Sequence, residues 1–168
     1  KKKYYEIDKE FFSPLLNLIK SNFKKKNLKL ALYFPSSFEI NVLKLLEYKY
    51  MINKNVLLPV IEENYRMSFY PWKKNHVLLV NKFGILEPVK TKIKIPNIIF
   101  VPILAFDRNK YRLGYGKGYY DRYLNKYLKK FSNILTVGVA FSFQKYHKLP
   151  INKNDVKIDY ILTEKGIH

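Results

Sequence analysis

Residues 98 to 124 constrain this chain more than any other stretch. An apolar run from Ile98 to Phe106 gives way to a loop with glycine at three alternate positions, Gly114, Gly116 and Gly118. The loop then gives way to a helical pattern, with Tyr119, Tyr123, Tyr127 and Leu128 at i, i+4, i+8 and i+9. A buried strand, a glycine-rich turn and a helix start form an anion cradle. Glycines let the backbone come close to a phosphate, and the first helical N–H groups and the helix dipole face its charge. Lys117 adds a point charge inside the turn, and Arg112, just ahead of it, offers a planar fork for two phosphate oxygens. Asp121, one short turn into the helix, is placed to hold a magnesium ion against those oxygens. The spacing matches neither the P-loop nor the dinucleotide-binding fingerprint, so an ordinary strand-to-helix turn with solvated cations satisfies the pattern equally well.

The size and composition bound the rest. A chain of 168 residues with 48% hydrophobic content reads as one domain, residues 1–168, with a full core. There is no cysteine, hence no disulfide framework and no thiolate metal site. No window of about 18 apolar residues is present, and the basic N-terminus lacks the apolar segment of a signal peptide, so no membrane association and a cytoplasmic monomer are expected. The net charge of +19 invites a nucleic-acid reading. The sequence has 28 Lys against 4 Arg, with 15 Asn, 15 Tyr and only 3 Ala, which is the mark of A/T-rich codons. A surface selected for nucleic acid favours arginine, whose paired donors read phosphates and bases. The excess therefore reads as a solvated basic surface, with no nucleic-acid partner expected, that still attracts anionic substrates.

Along the chain, a helix is predicted over residues 8 to 23, capped by Asp8, with Pro14 marking a restart for which Ser13 is the cap. Lys24–Lys26 follow as a solvated linker. Leu28 to Phe34 reads as a first strand, and a helix opened by Glu39 runs over Ile40 to Met51 with Val42, Leu43, Leu45 and Leu46 inward. An acidic residue in a first helical turn is favourable with the dipole and needs no ligand to explain it. Val56 to Val60 is a strand interrupted by Pro59, with Arg66 to Tyr70 and Val77 to Val80 as short strands. Gly84 to Pro88 is a turn with Glu87 at a pocket mouth, and Lys90, Lys92 and Lys94 give a wet edge. Ile134 to Phe141 is a buried strand, and a turn at Asn152 to Asp155 precedes a last strand, Val156 to Leu162. His76 and His147 read as loop residues. The alternation predicts an α/β fold, a three-layer α/β/α sandwich with a mixed, largely parallel sheet. Ligands of such sheets bind at the carboxyl ends of the strands, which puts Phe34 to Glu39, Asp107 to Gly118 and the Asp155 loop on one rim.

Pro102-x-Leu104-x-Phe106-Asp107, followed by Arg112-Leu113-Gly114-x-Gly116-x-Gly118-Tyr119-Tyr120-Asp121-Arg122-x-Leu124, resembles the signature of the 5-formyltetrahydrofolate cyclo-ligases. Tyr33-Phe34-Pro35 through Glu39-Ile40, Gly84 through Pro88, and Leu149-Pro150 through Asp159 fall in that family's order, so the likeness spans roughly residues 28 to 162. The resemblance implies ATP-dependent closure of 5-formyltetrahydrofolate, with or without a polyglutamate tail, to 5,10-methenyltetrahydrofolate. It assigns Arg112, Leu113, Gly114, Tyr115, Gly116, Lys117, Gly118, Tyr119 and Tyr120 to ATP, with Lys117 and Arg112 catalytic. It assigns Phe34 and Glu39 to the pterin, with Tyr115, Gly116, Lys117, Gly118 and Tyr119 also touching substrate. Asp121 and Asp155 then hold magnesium, although Asp155 by itself is an ordinary turn former. Met67, Phe69, Tyr70 and Trp72 become candidates for stacking on the folate ring. Two departures stand out. Lys1–Lys3 do not match the family's basic N-terminal helix residue by residue, and Lys110 replaces a frequent glycine, leaving Asn109 to take the left-handed turn. The competing reading is a non-catalytic folate- or RNA-binding basic domain.

Overall fold

The structure, a computed structural model, describes residues 7–8, 10–23, 27–36 and 39–168, so the readings of Lys1–Lys3 and Lys24–Lys26 lie outside the described residues. A seven-stranded sheet carries the molecule. Its strands are β1 (Lys29–Ala31), β2 (Asn55–Ile61), β3 (Met67–Trp72), β6 (Ile98–Pro102), β9 (Leu135–Val139), β11 (Tyr160–Thr163) and β12 (Gly166–Ile167). They lie in the order β12-β11-β9-β6-β1-β2-β3. The five inner strands pair parallel, and the two edge strands, β3 and β12, pair antiparallel. The predicted mixed, largely parallel sheet is therefore present.

Alternate residues of the inner strands feed two separate apolar cores, one on each face. Leu30, Leu58, Ile98, Phe100 and Leu162 join one core with Leu15, Leu16 and Ile19 of helix α1 (Ser13–Asn22). Ala31, Leu57, Ile99, Val101 and Ile161 join the other with Tyr123 and Leu124 of helix α2 (Tyr119–Tyr127). Gly138 sits mid-strand in β9 because the crossover after β6 presses on it. A Cβ there would come within 2.6 Å of Ile158 Cδ1 and closer still to Ile103 Cδ1.

Several boundaries differ from expectation. Neither Asp8 nor Ser13 caps α1: the Asp8 carboxylate accepts from Glu10 N–H (2.9 Å), the cap position is Phe12, and Ser13 is the first helical residue, followed by Pro14, whose missing N–H costs nothing in the first turn. The predicted helix over 40 to 51 is two 3-10 segments, Val42–Glu47 and Lys49–Met51, and Glu39 precedes both. Val42, Leu45 and Met51 are buried at multiples of three, the 3-10 spacing, whereas Leu43 and Leu46 are only half-buried. Pro59 does not interrupt β2: it pairs with Phe69 on the β3 side, and β1 pairs only residues 55 to 57, so no partner on that side needs its missing N–H. Residues 86 to 88 are not a turn but strand β5 (Leu86–Pro88), hairpinned to β4 (Leu78–Val80). The last parallel strand starts at Tyr160 rather than Val156.

Candidate functional site

The glycine loop is shaped by a buried carboxylate ahead of it. Asp107 ends β7 (Ala105–Asp107) and is only 2% exposed. Its side chain accepts from the N–H groups of Asn109 (2.9 Å) and Tyr111 (3.1 Å) with one oxygen and from Leu149 N–H (3.4 Å) with the other. These bonds turn the chain back so that β8 (Arg112–Leu113) pairs antiparallel with β7. The left-handed residue of this turn is Lys110, at φ 65, and not Asn109 as expected. A hydrogen bond from the Lys110 ammonium to the Asp159 carbonyl (2.7 Å) anchors that side chain. Gly116 (φ 78) and Gly118 (φ 64) then take backbone conformations that other residues resist, and Gly118 starts α2.

Three segments meet at Arg112. Its guanidinium pairs with the Asp121 carboxylate at 3.0 Å and donates to the Val156 carbonyl at 3.1 Å, while Val156 N–H donates back to the same Asp121 oxygen at 3.1 Å. Arg112 is 5% exposed and Asp121 22%, so the pair is largely withdrawn from water yet reachable at the carboxylate. Asp155 immediately precedes Val156, so the loops bearing the two predicted metal carboxylates do converge. Asp155 itself caps its own turn, accepting from Asn152 N–H (2.7 Å) and the Asn152 amide (3.2 Å).

A second group closes on the glycine loop from after β1. Glu39 accepts from Ser36 N–H at 2.8 Å, and the Ser36 hydroxyl shares a hydrogen bond of 2.7 Å with the Tyr115 hydroxyl, 79 residues away. Burial pushes the Glu39 carboxyl above its ordinary range, against the pull of its Ser36 bonds. Tyr33, which donates to the Ile40 carbonyl (3.1 Å), has its hydroxyl pushed well up by burial and by Glu39. Burial also pushes the Tyr120 hydroxyl up, with Glu39 adding to the shift and Arg112 opposing it. Tyr120 thus sits within electrostatic reach of both groups. Among the described residues its buried hydroxyl has no hydrogen-bond partner, a state that an incoming polar ligand or a water relieves.

The structure accordingly brings together Glu39, Arg112, Tyr115, Tyr120 and Asp121 and places Val156, beside Asp155, against them. Lys117 is exposed on the loop, and Phe34 is half-buried. Among the described residues no group of three or more His, Cys, Asp or Glu gathers as a metal cage. Asp121 and Asp155 offer only carboxylate oxygens, one paired with Arg112 and the other bonded to Asn152, a donor chemistry that fits a hard cation such as magnesium. Met67, Phe69, Tyr70 and Trp72 do not offer stacking faces; all are buried, with Phe69 edge-on to Tyr123 (4.9 Å) and the Trp72 indole donating to the His76 carbonyl. Glu87 is not at a pocket mouth: its buried carboxylate accepts from Ile61 N–H (2.8 Å) and the Asn81 amide (2.7 Å), fastening β5 to β2. Tyr33 and Ser36 carry no site assignment from sequence. Their signal is that both fall within the Tyr33–Ile40 stretch that shares the family's order.

Comparison with known proteins bears on the same segments. Residues 15–164 match the model of the 5-formyltetrahydrofolate cyclo-ligase family. The chain is 34% identical over 177 aligned positions to a 5-formyltetrahydrofolate cyclo-ligase of Haemophilus influenzae, covering 95% of this chain and 86% of that protein. It is 33% identical over 157 positions to a probable 5-formyltetrahydrofolate cyclo-ligase of Schizosaccharomyces pombe, covering 84% and 76%. The solved structure of Aquifex aeolicus 5,10-methenyltetrahydrofolate synthetase superposes with a TM-score of 0.70 at 34% identity, covering 99% of this chain and 86% of that one. A 5,10-methenyltetrahydrofolate synthetase from Mycoplasma pneumoniae shares the fold at a TM-score of 0.65 and 22% identity, covering 96% and 92%.

Proposed function

The chain belongs to the 5-formyltetrahydrofolate cyclo-ligase family, and on that footing we propose that it uses ATP to close 5-formyltetrahydrofolate into 5,10-methenyltetrahydrofolate, releasing ADP and phosphate. The observation that carries the reading is the Ser36–Tyr115 hydrogen bond, because it joins the turn that holds Glu39 to the glycine loop. A reaction in which one substrate is phosphorylated by another needs their two sites to touch.

In this reading the formyl oxygen on N5 attacks the γ-phosphorus of ATP, and ADP leaves. N10 then attacks the formyl carbon of the resulting iminium phosphate, and phosphate departs with the former formyl oxygen as the N10 proton is released. Such transfer needs positioning and neutralisation of charge more than a protein nucleophile. Residues 112 to 120 cradle the phosphates through backbone N–H groups, with Lys117 and Arg112 balancing the charge on the γ-phosphoryl oxygens. The Tyr115–Tyr119 segment borders the formyl end of the substrate. Glu39 accepts hydrogen bonds from the pterin amino and ring N–H groups, and Phe34 packs on the ring. The buried, unpartnered Tyr120 hydroxyl supplies a further polar contact at the junction. Asp121 and Asp155 would hold magnesium, which supplies charge neutralisation for the leaving phosphate oxygens. No helix among the described residues is long and apolar enough to cross a membrane. We take the protein to act as a cytoplasmic monomer, with its net charge of +19 attracting ATP and any polyglutamate tail.

The test is spectrophotometric. Purified protein with 5-formyltetrahydrofolate, ATP and magnesium should develop methenyl absorbance, and omission of ATP should abolish it. No absorbance with all three present would eliminate the reading.

A further inference from the structure

The turn between β2 and β3 is built against its own interest. Arg66 N–H donates to the Glu63 carbonyl (3.3 Å), just inside the bond from Glu62 N–H to the Arg66 carbonyl (2.8 Å), and both central residues of this tight turn, Asn64 (φ 55) and Tyr65 (φ 56), take left-handed backbone. Turns of this kind favour glycine at the second central position, and a tyrosine there is strained. Tyr65 is also 61% exposed, so core packing does not explain it. Strain held in a non-glycine residue points to a role for its side chain.

That side chain meets Arg122. The guanidinium lies 5.1 Å from the Tyr65 ring centroid and 5.7 Å from that of Tyr119, and the two rings are 6.4 Å apart. Arg122 Nε donates to the Tyr65 carbonyl (3.0 Å), and its Nη2 donates to the carbonyl of Lys117. Gly118 admits this arrangement: a Cβ there would lie 3.1 Å from Arg122 Nη1. One planar cation therefore bonds the tip of the β2–β3 hairpin and the centre of the glycine loop at once, using geometry a lysine lacks.

We propose that Arg122, stacked on Tyr65, is a positioning residue that fixes the curvature of the glycine loop for phosphate binding through the Lys117 carbonyl. This rests on the assignment of residues 112 to 120 to the nucleotide. Tyr65 then occupies a glycine's position because loop order is gained at the hairpin's cost.

Three variants test it: Tyr65→Gly, Tyr65→Phe and Arg122→Lys. Each is measured for melting temperature, for binding of a non-hydrolysable ATP analogue with magnesium by calorimetry, and for amide exchange across residues 113–119. Tyr65→Gly relieves the turn and should melt roughly 2–4 °C higher. It should nevertheless bind the analogue about fivefold more weakly, with faster exchange in the loop. Tyr65→Phe keeps the ring and should match the wild type, while Arg122→Lys should lose affinity without the thermal gain. A Tyr65→Gly protein that binds like the wild type overturns the brace and leaves the nucleotide assignment standing. One that loses stability and affinity together makes Tyr65 a folding contact and overturns it too. A wild type that does not bind the analogue removes the nucleotide assignment and this inference with it.

Discussion

Lys117 and Glu39 are both charged residues picked out by motif, and the structure gives them different surroundings. Lys117 is exposed on the glycine loop with its backbone carbonyl held by Arg122, so its ammonium can reach a bound phosphate without dragging the backbone. Lys117→Ala should lower turnover by about two orders of magnitude, as loss of a preorganised charge does, with the melting temperature unchanged. Normal turnover in that variant would take Lys117 out of the reaction. Glu39 is different because burial raises its folded pKa above the ordinary 4.5. The folded state holds that proton more tightly than the unfolded chain does. Its contribution to stability is fully present below the unfolded value and is lost as pH rises through the folded one. Glu39→Gln removes this loss, so the variant's stability relative to wild type should climb as pH is raised above the ordinary glutamate value in denaturant titrations. A gap that stays constant over that range would show that burial does not perturb the group. The motif put Glu39 forward as a candidate; its raised pKa comes from burial in the folded chain, which its Ser36 hydrogen bonds oppose.

At the scale of elements, the Arg112–Asp121 pair is a tie among β8, α2 and the segment before β11. Asp121→Asn leaves a cation that is 5% exposed without its charge partner, and should cost on the order of 2 kcal/mol in denaturant midpoints. It should also raise the magnesium concentration needed for half-maximal activity. Unchanged stability would mean that the Val156 carbonyl alone satisfies Arg112. The strand, glycine loop and helix of residues 98 to 127 were legible because apolar run, positive-φ residues and helical spacing follow one another without ambiguity. The Val42–Met51 region was not. Over two turns, burial at every third residue and at alternating third and fourth residues look alike, and an asparagine cap such as Asn41 to Leu43 N–H serves either helix. Lys110 in place of Asn109 at the left-handed turn escaped for a related reason. Local preference favours asparagine, but the reach of the Lys110 ammonium to the Asp159 carbonyl is a tertiary contact.

At the scale of the molecule, a net charge of +19 makes the folded state repel itself. The melting temperature should therefore rise as salt is increased from about 20 mM to about 300 mM, because exposed charges more than a Debye length apart become screened. The Michaelis constant for ATP should rise over the same range as attraction for the anion weakens. A melting temperature that falls with salt would indicate that the charges are paired favourably. The sequence by itself determined where the elements lie in the central third and the two-faced burial of the inner strands. Those properties are local, since they depend on side-chain type and on spacings of a few residues. Tertiary structure alone decided the strand order, the meeting of Ser36 with Tyr115 across 79 positions, the convergence of the Asp121 and Asp155 loops, and the stacking of Tyr65 on Arg122. Nothing in a local pattern specifies which distant segment satisfies a given donor. That choice is made when the whole chain buries its apolar faces at once.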